Sequence, residues 1–206
     1  MKVHFFDSIK IPLPKDRIYS RLGYAKGKTH LSPEQKSNVD QHIEEALDFI
    51  DLKGAGLRVA IEAIEPLKVK LTSDIVLKSN SLAQLFRDCQ EVLFMGATAG
   101  SRVIKAIKEK SAGSDVACAV IFDAVASEMV DSSLDWITNY FSYELRRENK
   151  EIGKQRFSAG YGDFTLDNQK LMYDILQLRK LEVTLTEQYI LIPEKSVTAV
   201  VGIKET

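Results

Sequence analysis

The sequence predicts an α+β fold: a single domain over residues 1–206, with a largely antiparallel sheet and flanking helices, one of them long, at about 114–145. Three observations predict it. Strand-like and helix-like stretches are mixed but do not follow one another in βαβ order. The run Glu91 to Ala97 (EVLFMGA) is almost unbroken in its apolar character, which suits a strand covered on both faces. From Val116 to Phe141, apolar residues (Val120, Ala124, Met129, Leu134, Ile137) keep a helical period.

The elements follow in order. Pro12 and Pro14 mark an extended lead-in. A helix starts at Ser32-Pro33-Glu34, where Ser32 is a natural N-cap, Pro33 fits the first helical position and Gln35 stands three residues past the cap. Val39, Ile43, Ala46, Leu47 and Ile50 give it an apolar face, and Lys53-Gly54 and Gly56 read as its stop. Residues 57–65 read as a strand. The next strand puts Leu67, Val69 and Leu71 on one face with Lys68 and Lys70 on the other. Ile75 to Leu77 forms a further strand, and Asn80 or Ser81 caps a short helix running through Cys89. After Thr98-Ala99-Gly100 another helix begins, and Ser114 caps the long one. Arg146 to Lys154, rich in both charges, reads as a solvated helix end or loop. Asn168 to Leu178 is a shorter helix. Strands at Val183–Thr186, Tyr189–Pro193 and Ser196–Ile203 follow, the last two joined by a tight turn at Glu194-Lys195.

Composition excludes several classes. A formal net charge of -1 lacks the basic excess of a dedicated nucleic-acid binder, and 45% hydrophobic residues are enough for a sizeable core. No secretory leader and no apolar run of about 18 residues is present, so a cytoplasmic protein with no membrane span is expected. Cys89 and Cys118 form no CxxC pair and read as buried free thiols. His4, His30 and His42 show no metal-ligand spacing; no metal site is expected, and His42 reads as exposed. No GxSxG occurs, so a hydrolase triad has no support.

Three features carry possible chemistry. Gly96-Ala97-Thr98-Ala99-Gly100, between a strand and a helix, lies where anions bind, but it is neither GxGxxG nor a P-loop and reads first as a structural turn. Asp131 and Asp135, four apart, share one helix face; they can hold a cation or ribose hydroxyls, and the plainer reading is a solvated stripe facing water. In Arg156-Phe-Ser-Ala-Gly160-Tyr161, the arginine offers a planar fork for a carboxylate, the glycine allows close backbone approach, and the tyrosine ring can lie against a purine or a sulfonium.

Taken together, FMGATAG (94–100), the long helix, RFSAGYGDF (156–164) and LTEQYILIPEKSVTAVVG (185–202) resemble the reactivation domain of cobalamin-dependent methionine synthase, over roughly residues 90–203. The resemblance implies binding of S-adenosylmethionine through Arg156, Gly160, Tyr161 and Gly162. Arg156 would pair with the methionyl carboxylate, and Asp131 would supply an acid near the ligand's positive charge. It also implies cobalamin carried by a partner, a cobalamin-dependent methionine synthase or another corrinoid protein, and an electron from a flavodoxin-like donor. The chain would then be one component of a methyltransferase of methionine biosynthesis, with no catalytic residue of its own, acting in trans because no DxHxxG cobalamin signature is present. Two departures, GYGDF in place of the family's GYPACP and little sequence after Gly202, favour a second reading: a non-catalytic module that binds a corrinoid protein without using S-adenosylmethionine. A third reading, an ordinary S-adenosylmethionine methyltransferase, fits poorly because the element order gives no doubly wound sheet.

Overall fold

The computed structural model describes residues 2–25, 27–113 and 115–206. In chain order its elements are strand β1 (His4–Phe6), helices α1 (Lys15–Arg21) and α2 (Pro33–Leu47), strands β2 (Lys53–Glu65), β3 (Lys68–Leu71) and β4 (Ile75–Lys78), helix α3 (Asn80–Leu85), strand β5 (Glu91–Thr98), helices α4 (Ser101–Ala112) and α5 (Val116–Leu145), strand β6 (Lys150–Ile152), helix α6 (Asn168–Ile175), and strands β7 (Thr184–Leu185), β8 (Leu191–Ile192) and β9 (Ser196–Glu205). Strand order in the main sheet is β4-β3-β2-β5-β9-β6, with β1 paired to β2; β7 and β8 form a separate hairpin. Every described ladder is antiparallel. The α+β class expected from the sequence is therefore the class observed, and it differs from the doubly wound sheet of common methyltransferases.

The sheet is covered on both faces. Leu93, Met95 and Ala97 of β5, with Ala199, Val201 and Ile203 of β9, bury against α2, α4 and α5. Val92, Phe94 and Val200 turn the other way, toward α3, α6 and the 3₁₀ turn Leu178–Leu181. Strand β5, central and roofed twice, has to be apolar at nearly every position, and this is what its sequence displays.

The Ser32 cap is as expected: its hydroxyl accepts from the Gln35 N–H while the Gln35 side chain accepts from the Ser32 N–H, a complete capping box. Other boundaries differ. Helix α2 ends at Leu47, and Gly54 and Gly56 lie inside β2, where Ile137 and Phe141 of α5 press onto them. Leu67 is exposed in a turn with positive φ, outside β3. Ser79, not Asn80 or Ser81, caps α3, which stops at Leu85; Cys89 lies beyond it in a loop and is half-buried. Ser114 lies outside the described residues, and Asp115 caps α5 by accepting the Cys118 N–H. Helix α6 closes at Ile175, and β7 and β8 are two residues each. Within the charged run expected as a helix end or loop, Arg146–Glu148 forms a helical turn after α5 and Lys150–Ile152 pairs with the end of β9. No described helix is long and apolar enough to cross a membrane.

Candidate ligand-binding site

A groove opens at the edge of β9. Strand β6 covers this edge at Ile203–Glu205, and Phe157 bridges Val200 through bonds of 2.9 and 2.8 Å in the two directions. The covering chain then turns away, so the start of β9 is left as one wall. Strand alternation points the backbone of Thr198 to the same side as that of Val200, into the groove. Helix α5 contributes Asp131 from one face of the sheet, α6 contributes Gln169 from the other, and the 156–161 segment closes the far side. The volume is about 520 Å³, within the range of small-molecule sites.

Arg156 organises the charged wall. Its Nη1 donates to Asp135 Oδ1 at 2.8 Å and its Nη2 to Asp131 Oδ1 at 3.5 Å. Arg17, from α1, donates to Asp135 Oδ2 at 3.0 Å and lies 3.6 Å from Asp131 Oδ2. Two guanidinium groups thus bracket two carboxylates, and the local charge is balanced. The plainer expectation for Asp131 and Asp135, a stripe facing water, is corrected: both are paired and only half-exposed. A guanidinium carries five N–H donors, and each terminal nitrogen of Arg156 spends one on α5, so part of the fork remains for a ligand carboxylate.

The turn carrying Tyr161 is built from glycines at positive φ, +93° at Gly160 and +53° at Gly162, a region costly for most side chains. Gly160 N–H donates to Phe164 O at 2.8 Å, and Tyr161 and Phe164 form a bridge. Asp163 then ties the turn to α3. It accepts from the Ser79 hydroxyl at 2.7 Å and from the Asn80 N–H at 2.5 Å, with the Ser81 N–H at 3.3 Å. The Ser79 hydroxyl, then the Ser81 side chain and these N–H groups, hold the Asp163 carboxyl down at about 2. Phe164 is fully buried below, and the Tyr161 ring is left 68% exposed. On the groove floor, the Gln169 amide and the Thr198 hydroxyl are bonded to each other at 2.9 and 3.1 Å, both buried.

Of the residues expected from the sequence, Arg156, Tyr161 and Asp131 come together in the groove; Gly160 and Gly162 shape the turn and do not line it. Arg17 was not expected, since α1 has too few apolar positions to register as a helix. The Gly96–Gly100 segment is the end of β5 and the cap of α4, where Thr98 accepts from the Gly100 N–H and from the Ser196 hydroxyl, consistent with a structural turn.

No protein-family model matches the chain, and no curated protein matches it. Among solved structures, a crystal structure of the MetH reactivation domain bound to AdoHcy superposes with a TM-score of 0.71, over 98% of this chain and 78% of that one, at 12% identity. The fold is similar to that of the MetH reactivation domain. At this identity the likeness to the MetH domain is one of fold. It covers 98% of the chain, and so most of residues 1–90, where no sequence motif pointed to it.

Proposed function

We propose that this chain binds S-adenosylmethionine in the β9-edge groove and serves as a stand-alone reactivation domain, in trans, for a cobalamin-dependent methionine synthase. The observation that carries the reading is the juxtaposition, in one groove, of a partly free arginine fork, the Asp131 carboxylate and an exposed tyrosine ring. It is supported by the solved relative of similar fold, which was crystallised with AdoHcy. When bound, S-adenosylmethionine would supply a methyl group that, with one electron from a flavodoxin-like donor, converts the partner's cob(II)alamin to methylcobalamin.

The chain's own residues bind and orient. Arg156 takes the methionyl carboxylate. Asp131 faces the ligand's positive charge, and Tyr161 lies against the purine. The protein carries out no proton transfer in this scheme; it positions the ligand. Exposed Tyr189, Ile190 and Ile192 on the β7–β8 hairpin, beside Leu191 in the groove wall, favour a second reading. On that reading the same edge contacts a corrinoid protein and uses no S-adenosylmethionine.

Calorimetric titration with S-adenosylmethionine decides between them. The first reading expects saturable binding that weakens about 10- to 150-fold in Arg156→Ala, the equivalent of about 1.5–3 kcal/mol for a hydrogen bond to a charged group. Absence of binding to the wild-type chain, alone and with a corrinoid partner, rejects the first reading. Equal affinity in the variant rejects the assigned site.

A further inference from the structure

Where α2 crosses the first turns of α5, three side chains with different donor atoms converge. His42 and Glu45 are three apart on α2 and share a face. Cys118, 76 positions further on, is fully buried on α5. Its Sγ lies 3.3 Å from His42 Nδ1, which lies 3.3 Å from Glu45 Oε2. All three donor atoms fall within 4.8 Å of one another. Spacing along the chain predicts no metal site and an exposed His42; the fold instead brings His42 to 20% exposure beside a thiol.

The two 3.3 Å separations suit a metal ion, and the Cys118–Glu45 pair lies within 4.8 Å. With zinc bonds of about 2.3 Å to sulfur and about 2.0–2.2 Å to nitrogen or oxygen, neighbouring ligands of a tetrahedron stand about 3.3–3.6 Å apart. Three protein ligands with one side open, here toward the half-exposed Glu45, is the arrangement that leaves a fourth position for water. A thiolate, an imidazole and a carboxylate select a borderline-soft divalent ion over magnesium or calcium. The second oxygen of Glu45 is already held, accepting from Lys110 Nζ at 3.0 Å, as the carboxylates of metal sites usually are by outer partners. The Lys110 ammonium also stands 4.7 Å above the Phe122 ring, so one cation already sits beside the three donors.

We infer that His42 Nδ1, Glu45 Oε2 and Cys118 Sγ form a binding site for a zinc-class divalent cation, separate from the groove. Thirteen positions separate Cys118 from Asp131, about 20 Å along α5, so the site stands or falls independently of S-adenosylmethionine binding. Lys110 can remain on Glu45 Oε1 while its ammonium repels the incoming ion.

The test is titration of the full reduced chain with Co²⁺, read by thiolate-to-cobalt charge transfer in the near ultraviolet, then displacement with Zn²⁺. One equivalent is expected. The band should be lost in Cys118→Ser, kept in Cys89→Ser, weakened at least about tenfold in affinity in His42→Ala, and strengthened in Lys110→Met. Absence of the band, or its survival in Cys118→Ser, overturns the site. Should Cys118→Ser fail to fold, His42→Ala decides alone, and an unchanged cobalt affinity there overturns it equally.

Discussion

Gly56 lies directly beneath α5, and replacing it with alanine tests how the sheet holds the helix that carries Asp131 and Asp135. An added Cβ would stand 2.3 Å from Phe141 Cε2 and 2.9 Å from Cζ, against 3.4 Å at the near edge of ordinary contact. Phe141 is 1% exposed and has nowhere to go. The backbone at Gly56 does not need a left-handed conformation, so the effect is purely one of space. Overpacking of this kind costs about 1–3 kcal/mol, offset by about 0.4–1 kcal/mol from restricting the unfolded chain. A net loss of about 1 kcal/mol follows, or about 2–4 °C in Tm for a chain of this size. Urea denaturation of Gly56→Ala, Phe141→Leu and the double variant measures it. Removing the ring relieves the clash, so the double variant should be more stable than the sum of the two single losses by at least about 0.5 kcal/mol. Additive losses, or a neutral Gly56→Ala, would show that α5 does not rest on this glycine.

Gln169→Leu leaves the buried Thr198 hydroxyl without its partner and should cost about 1–3 kcal/mol by urea midpoint, part of it regained in a Gln169→Leu, Thr198→Val double variant; a double variant no more stable than the single would contradict the pairing. Acid should weaken the fold through Glu148, which the Arg58 guanidinium and then Lys150 hold at about 2, and through Asp163, also about 2. Both folded values lie below the usual 4.5 and 3.8, so their contribution is complete above those values and is lost as pH falls from there toward 2. Glu148→Gln should make the fall of the urea midpoint over that interval shallower, and an identical slope would remove Glu148 from the account.

Long, strongly patterned elements were legible from the sequence. The capping box at Ser32, the doubly covered strand β5 and the long helix each follow a local rule that tertiary structure did not override. The unread elements are short. Strands β1 and β6 have three residues each, and α1 has seven with only Ile18 and Tyr19 buried, too few to set a period. Gly54 and Gly56 misled for a physical reason: glycine ends helices, but here it thins a strand so that Ile137 and Phe141 can close on it. In the groove, Arg156, Tyr161 and Asp131 were legible as chemistry and through the family resemblance, whereas Arg17 depends on an unread helix. The meeting of His42 with Cys118 depends on how α2 crosses α5, which no spacing along the chain records.

The attachment of Asp163 to the start of α3 bears on the thermodynamics of recognition. A glycine-rich loop left free would have to be ordered each time a ligand arrived, at about 1–2 kcal/mol for each residue fixed. Here Ser79 and two backbone N–H groups hold the loop from below, and Phe164 anchors it in the core. Its conformational entropy is surrendered when the chain folds, so the groove wall bearing Tyr161 would meet a ligand preorganised, and contacts made there would pass into affinity with little deducted for ordering.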